Sequence, residues 1–317
     1  MAKKKVLFTR GIHDFAQKDL RRRYDVTVHS GKMPMPRELL ISSVAQADGL
    51  VCFPYDVIDK EVIDAAKNLK VISTYSVGYD HIDIKCAKSR GIRIGHTPKV
   101  LTNATADLAI ILVLDLLRRV TEGDRIIRAG EWKEIYGPLD HLGVDIAGKT
   151  LGILGMGRIG VQTAKRAKAF GMNVIFHSRR KTSSRHGEYV SLAVLLKKSD
   201  VLSIHVPYTK ETHEMIDLAK IQKMKKSAFI VNTARGRVVK ESDLIAALRG
   251  GLIAGAGLDV FESEPISGVS ELAKMPNVVL APHIGSATAE TRLEMTKIAV
   301  KNLDLGMAGK DPIYAVR

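Results

Sequence analysis

K-T-L-G-I-L-G-M-G-R-I-G, Lys149 to Gly160, is the stretch whose reading decides the fold. Leu151, Ile153 and Leu154 form a short apolar run, the pattern of a buried parallel strand. Gly155, Gly157 and Gly160 then satisfy G-x-G-x-x-G. Val161 to Phe170, with Ala164 and Ala167 among Lys and Arg, reads as a helix. Glycines also mark ordinary turns, so the motif alone says little; strand, glycine turn and helix in that order point to a dinucleotide site. In that frame Gly155 permits the tight turn. Gly157 lets the backbone approach a pyrophosphate, and Gly160 lets helix and strand pack closely. The helix N-terminus points N–H groups at the phosphates, which adds Arg158 and Ile159 to the cofactor contacts.

The next strand is Asn173–His177, N-V-I-F-H. About 20 residues past such a fingerprint, an NAD site carries an acid for the ribose hydroxyls. This chain has Ser178, Arg179, Arg180 and Lys181 there. Guanidinium groups bind phosphate oxygens in a fork, so the loop suits a 2′-phosphate. The expected cofactor is NADP(H) in preference to NAD(H), with NAD(H) left open.

The whole chain agrees with a soluble α/β protein. Its 317 residues suffice for two domains with substantial cores, and 45% apolar with 26% charged residues argues against disorder. The net charge of +15 could serve nucleic acid, an anionic membrane or small anions. The basic residues are scattered apart from Lys3–Lys5 and Arg21–Arg23, and aromatics are only 5%, a poor supply for base stacking. The charge is therefore read as solubility plus attraction for an anionic substrate and cofactor, with neither nucleic acid nor membrane as partner. Two cysteines, Cys52 and Cys86, make neither a disulfide framework nor a metal set, and a cytoplasmic location is the default. The N-terminus lacks a long apolar stretch, and Leu108–Leu117 is too short to span a bilayer.

Upstream of the fingerprint, strands at Lys5–Thr9, Asp25–His29, Gly49–Phe53, Val71–Thr74 and Ile92–Gly95 alternate with helices at Phe15–Arg23, Glu38–Ala47 and Ile58–Ala66. From Leu151 onward six strands alternate with helices again. The predicted fold is two doubly wound parallel-sheet domains: a flavodoxin-like substrate domain, 1–99 with 288–317, and a Rossmann domain, 100–287. The wide apolar face of Thr102–Val120 suits either a core or an interface between domains or subunits. Ala289–Met307 is a final helix that crosses back to the first domain.

Ligands bind beyond the carboxyl ends of strands in open α/β sheets. At those ends stand His205, Arg235, Asp259, Glu262, Glu264 and His283. A cation, carboxylates and imidazoles thus share the cofactor's rim.

V-N-T-A-R-G (231–236), G-L-D-V-F-E-S-E-P (257–265), A-P-H-I-G-S-A-T (281–288) and Y-S-V-G-Y-D-H-I-D (75–83), together with G-M-G-R-I-G, resemble the D-2-hydroxyacid dehydrogenase family along the whole chain. Within it the chain is most similar to the glyoxylate/hydroxypyruvate reductases. The resemblance implies hydride transfer between a nicotinamide and C2 of a small 2-oxo or 2-hydroxy acid, in a cleft between two domains. It implies that His283 donates the proton, that Glu264, nineteen residues earlier, bonds His283 and keeps it protonated, and that Arg235 binds the substrate carboxylate and carbonyl. Ser76, Val77 and Gly78 would receive the carboxylate on backbone N–H groups. Thr105 and Asp259 would touch the nicotinamide end. Val206, Pro207, Thr212, Thr233 and Ala234 would line the cofactor site with Arg235, His283 and Gly285. His205 and His213 are read as structural. A homodimer is implied. One departure concerns 137–143, G-P-L-D-H-L-G, where these reductases tend to carry an aromatic residue; Asp140 and His141 offer none, which leaves substrate size open.

The expected activity is NADPH-preferring reduction of glyoxylate, hydroxypyruvate or a similar short 2-oxo acid. The alternatives are another member such as a 2-ketogluconate reductase, or a non-catalytic NAD(P)-sensing corepressor. A phosphoglycerate dehydrogenase is disfavoured because no regulatory domain follows Arg317.

Overall fold

Five short strands, β1 (Lys5–Phe8), β2 (Asp25–Val28), β3 (Gly49–Cys52), β4 (Val71–Thr74) and β5 (Arg93–Gly95), are joined by α1 (Asp14–Arg23), α2 (Arg37–Val44), α3 (Lys60–Ala65) and α4 (Ile84–Ser89). The computed structural model describes residues 2–31 and 34–316. It divides into two units, Met1–Leu101 with Ala287–Arg317, and Thr102–Ser286. The first unit's strands pair in the order β2-β1-β3-β4-β5, all parallel, which is the flavodoxin-like order. Every residue of β3 and β4 is buried, as apolar runs covered on both faces require. Leu7, Leu50 and Ile72 pack with Leu40, Val44, Val62 and Ile63, drawn from α2 and α3. Val6, Phe8, Val51 and Val71 pack with Leu20 of α1 and with Leu303 and Met307. Those last two belong to the chain's final helix, Ala289–Met307, so the C-terminal segment completes the first core. Sequence reading missed α4. It is short and buries only Ala87, so it carries little apolar pattern, and it is started by Asp83, whose carboxylate accepts the Cys86 N–H.

The second unit runs α5 (Thr102–Arg118), α6 (Val120–Arg128), β6 (Thr150–Leu154), α7 (Arg158–Ala169), β7 (Asn173–His177), β8 (Glu188–Tyr189), α8 (Leu192–Lys198), β9 (Val201–Ile204), α9 (Leu218–Ile221), β10 (Phe229–Asn232), α10 (Glu241–Arg249), β11 (Gly255–Leu258), α11 (Glu271–Lys274) and β12 (Val278–Leu280). The final helix is α12. The sheet order β8-β7-β6-β9-β10-β11-β12 is the Rossmann 3-2-1-4-5-6 with one strand added. Six strands were expected; β8, the seventh, has two residues and so no readable alternation.

The helix expected over Thr102–Val120 stops at Arg118, because Arg119 turns left-handed with φ 55°. The apolar side of α5 belongs to the core: Ile110, Leu112, Val113 and Leu117 pack with Leu151 and Ile153 of β6 and Ala164 and Ala167 of α7. Gly257 makes the approach close, since a Cβ there would lie 3.1 Å from the Leu112 Cβ. Exposed apolar side chains gather instead on α6 and the segment after it: Val120, Ile127, Trp132, Ile135, Leu139 and Leu142. No residue of α6 is buried. Among the described residues, no helix is long and apolar enough to cross a membrane.

Candidate active site

The turn from β6 to α7 is built by its glycines. Gly155 holds φ +100°, a region that side chains with a Cβ rarely adopt, and a Cβ there would sit 2.8 Å from the His205 carbonyl carbon. A Cβ on Gly160 would overlap the Gly155 carbonyl oxygen. Gly157 differs: a Cβ would meet nothing within 4 Å, so open space lies over this residue. Gly157 caps α7 without a side-chain bond, which leaves the first-turn N–H groups of Arg158, Ile159 and Gly160 for a ligand. At the exit of β10 the Thr233 hydroxyl is buried with no hydrogen-bond partner among the described residues. A buried, unpaired hydroxyl is costly. Open space, aligned N–H groups and an unsatisfied hydroxyl fit a dinucleotide.

Other expected contacts take particular places. Val206 is half-buried beside Gly155. The Thr212 hydroxyl donates to the Pro207 carbonyl at 2.7 Å and accepts the Thr209 N–H at 2.7 Å. It is thus spent on its own loop, and its part is to shape that loop rather than offer a hydroxyl. Past β7, the Ser178 hydroxyl donates to the Arg180 carbonyl at 2.8 Å, while Arg179 and Arg180 are exposed. His205 bonds the Ser203 hydroxyl at 2.8 Å, and burial pulls its imidazole down to about 4.

His283 lies three residues past β12 with a left-handed φ of 54°. Such strain persists only where neighbours hold it. Here Asp259, leaving β11, is the holder: its Oδ1 accepts the Ile284 N–H at 2.6 Å and its Oδ2 the Gly285 N–H at 2.8 Å. Thr105 of α5 donates its hydroxyl to the Gly285 carbonyl at 2.9 Å. Burial pushes the Asp259 carboxyl up to about 6, although the two N–H groups and the nearby imidazole pull against it. His283 Nδ1 stands 2.7 Å from Glu264 Oε2. A carboxylate only accepts, so Nδ1 carries the shared proton and Nε2 is turned to other work. Glu264 is fixed in turn, its Oε1 accepting the Phe261 N–H at 2.9 Å.

Arg235 sits on the β10 exit, in a turn set by Asn232. The Asn232 amide donates to the Arg235 carbonyl at 2.9 Å and accepts the Ala234 N–H at 3.0 Å. A Cβ on Gly236 would overlap the Phe261 carbonyl, so this glycine lets the arginine turn press against the loop that carries Glu264. The structure therefore links Arg235, Glu264, His283, Asp259, Gly285 and Thr105 through successive turns of one unit. Sequence reading missed Asn232 and Gly236. A polar residue closing the apolar run F-I-V-N was the available signal for Asn232.

Ser76, Val77 and Gly78 belong to the first unit. The Ser76 hydroxyl donates to the Gly78 carbonyl at 2.5 Å and lies 2.7 Å from Thr74 Oγ1, and the Val77 carbonyl faces His96 Nδ1 at 2.8 Å. With side chain and carbonyls spent on the loop, an anion would meet its backbone N–H groups.

Residues 110–285 match the NAD binding domain of the D-isomer specific 2-hydroxyacid dehydrogenases. The chain belongs to this family. It is 48% identical to the glyoxylate reductase of Thermofilum pendens over 98% of this chain and 94% of that one. A solved Thermus thermophilus protein superposes with TM-score 0.93 at 46% identity, covering 99% and 100% of the two chains. The NADPH-dependent glyoxylate/hydroxypyruvate reductase of Sinorhizobium meliloti, in complex with NADP and malonate, matches with TM-score 0.87 at 29% identity, covering 99% and 97%. The chain is an NAD(P)-dependent dehydrogenase, and a nicotinamide dinucleotide is its cofactor.

Proposed function

We propose that this dehydrogenase reduces glyoxylate, and hydroxypyruvate with it, to the 2-hydroxy acid, using NADPH in preference to NADH. The single observation that carries the reading is the His283–Glu264 pair at 2.7 Å, on a loop fastened by Asp259. Relatives named glyoxylate reductase along nearly the whole chain support the substrate. Arg179 and Arg180, with no acid at the end of β7, support the 2′-phosphate.

The bound nicotinamide supplies the hydride. Gly155–Gly160 would hold its pyrophosphate through the first N–H groups of α7, with Val206, Pro207, Thr233 and Ala234 as lining. Arg235 grips the substrate carboxylate with a planar fork and draws charge on to the carbonyl oxygen. The N–H groups of Ser76–Gly78, in the first unit, are donors for a substrate carboxylate. His283 passes the proton on Nε2 to the carbonyl oxygen, while Glu264 keeps the ring oriented through Nδ1. Asp140 accepts the Gly137 N–H at 2.7 Å and so stays within its own turn.

His283→Ala tests the reading. Turnover should fall about 10²- to 10⁴-fold, the usual worth of a positioned acid, with NADPH affinity kept. Full turnover would remove His283 from the reaction.

The exposed apolar side chains that gather on α6 and 132–144, with Ile135 91% and Leu139 83% exposed, support a homodimer that covers them. Sedimentation equilibrium should give twice the mass of one chain, and a monomer at micromolar concentration would count against the dimer. Both described cysteines are free thiols, in keeping with a cytoplasmic setting.

A further inference from the structure

Tyr75 and Arg292, both in the first unit, take no part in the chemistry above. Tyr75 follows β4 and immediately precedes Ser76; it is only 4% exposed. Its ring stacks on Phe53, which follows β3, with centroids 5.1 Å apart and planes 29° apart. Its hydroxyl donates to the Arg292 carbonyl at 2.5 Å and lies 3.1 Å from Thr296 Oγ1. Thr296 Oγ1 is met in turn by His13 Nδ1 at 2.7 Å. The Arg292 guanidinium returns over the same ring, 5.8 Å from its centroid. Phe53 is itself anchored, its N–H donating to Asp56 Oδ2 at 2.8 Å. One phenol thus ties the exits of β3 and β4 to α12 and, through Thr296, to His13, the residue before α1. Burial pushes that phenol up, so it stays a neutral donor. Among the described residues, no carboxylate forms an ion pair with Arg292. Its charge is left to the aromatic face and to whatever anion comes near.

We infer that Tyr75 and Arg292 form a clamp that sets the Ser76–Gly78 backbone and holds a positive charge over the residue opening that loop, making both positioning residues for the substrate carboxylate. The inference rests on the reading that this loop receives the carboxylate. A ring fixed on two sides and at its hydroxyl leaves the next residue little freedom. N–H groups already in place pay no ordering cost when the anion arrives. The guanidinium adds attraction that an aromatic face alone lacks.

The test uses the full-length enzyme with glyoxylate and NADPH and compares Tyr75→Phe, Arg292→Met, Arg292→Lys and Ser76→Ala. Arg292→Met should raise KM about tenfold, the upper range of a single cation–π contact, with kcat within about twofold. Tyr75→Phe, which loses only the hydroxyl's bonds, should raise KM by about three- to tenfold. Arg292→Lys should recover most of the loss. NADPH affinity, read by nucleotide fluorescence, should not move in any of them. Unchanged KM in Tyr75→Phe and Arg292→Met while Ser76→Ala raises it would overturn the clamp and leave the loop reading standing. Unchanged KM in all three would overturn both. Loss of kcat, nucleotide affinity and thermal stability together would show general structural damage and also overturn the clamp.

Discussion

Each unit has a switch point beside its first strand, where the sheet order reverses: between β1 and β3 in one, between β6 and β9 in the other. The two mouths are built in opposite ways. After β1 comes Thr9, fully buried, whose hydroxyl donates to Asp56 from the loop after β3. The same Asp56 oxygen takes the Phe53 N–H, so the chain's own polar groups fill this mouth. After β6 comes Gly155, then Gly157 with open space over it, and the facing residue past β9 is His205. One topology thus yields a plugged mouth and a receptive one, and the residues in the turns past the strands make the difference. Function lies in the rim, not in the sheet.

The contrast can be broken from the receptive side. Gly157→Val puts a side chain where a Cβ meets nothing, so the fold should persist with Tm shifted by no more than about 4 °C. Affinity for NADPH should fall by about a hundredfold or more, because the backbone no longer reaches the pyrophosphate. Calorimetric titration reads it; an unchanged affinity would place the phosphates elsewhere.

A smaller effect sharpens it. Asp56, in the loop after β3, and His205, the first residue past β9, are shifted by burial in opposite senses. Burial raises the Asp56 carboxyl. Its folded value then lies above its unfolded one, so its contribution is present in acid and is lost as pH rises through the folded value. Burial lowers His205 from 6.5 to about 4. Its folded value lies below its unfolded one, the unfolded chain takes the proton first, and stability is lost as pH falls from 6.5 towards 4. His205→Gln keeps a side-chain amide within reach of Ser203 and removes the titration. Its Tm should fall less between pH 7 and pH 5 than the parent's, by about 2–4 °C. An equal fall would mean that His205 does not titrate in that window.

Regular, buried pieces were legible in the sequence because their periods are strong. Asn173–His177, Val201–Ile204, Val278–Leu280 and Ala289–Met307 run as the apolar pattern predicts. What escaped was short or unburied. Nothing in V-T-E-G-D-R-I-I-R of α6 is buried; its few apolar residues share an exposed face among mostly polar and charged neighbours, and sequence reading passed over it. The length of α5 was misjudged because the left-handed turn at Arg119 leaves no mark in composition. At the site, residue types and rim positions could be read, but not the bonds that position them. That Asp259 spends both oxygens on the loop of His283, or that Gly236 makes room for Phe261, depends on turns between distant strands.

The most direct test is oxidation of reduced nicotinamide by glyoxylate, followed by absorbance, with NADPH and NADH at equal concentration. Rapid turnover of NADPH, with kcat/KM about tenfold or more above that for NADH, is the predicted result, since two guanidinium groups would read the 2′-phosphate. No oxidation of either nucleotide, although both bind, would contradict the assignment of this chain as a glyoxylate reductase.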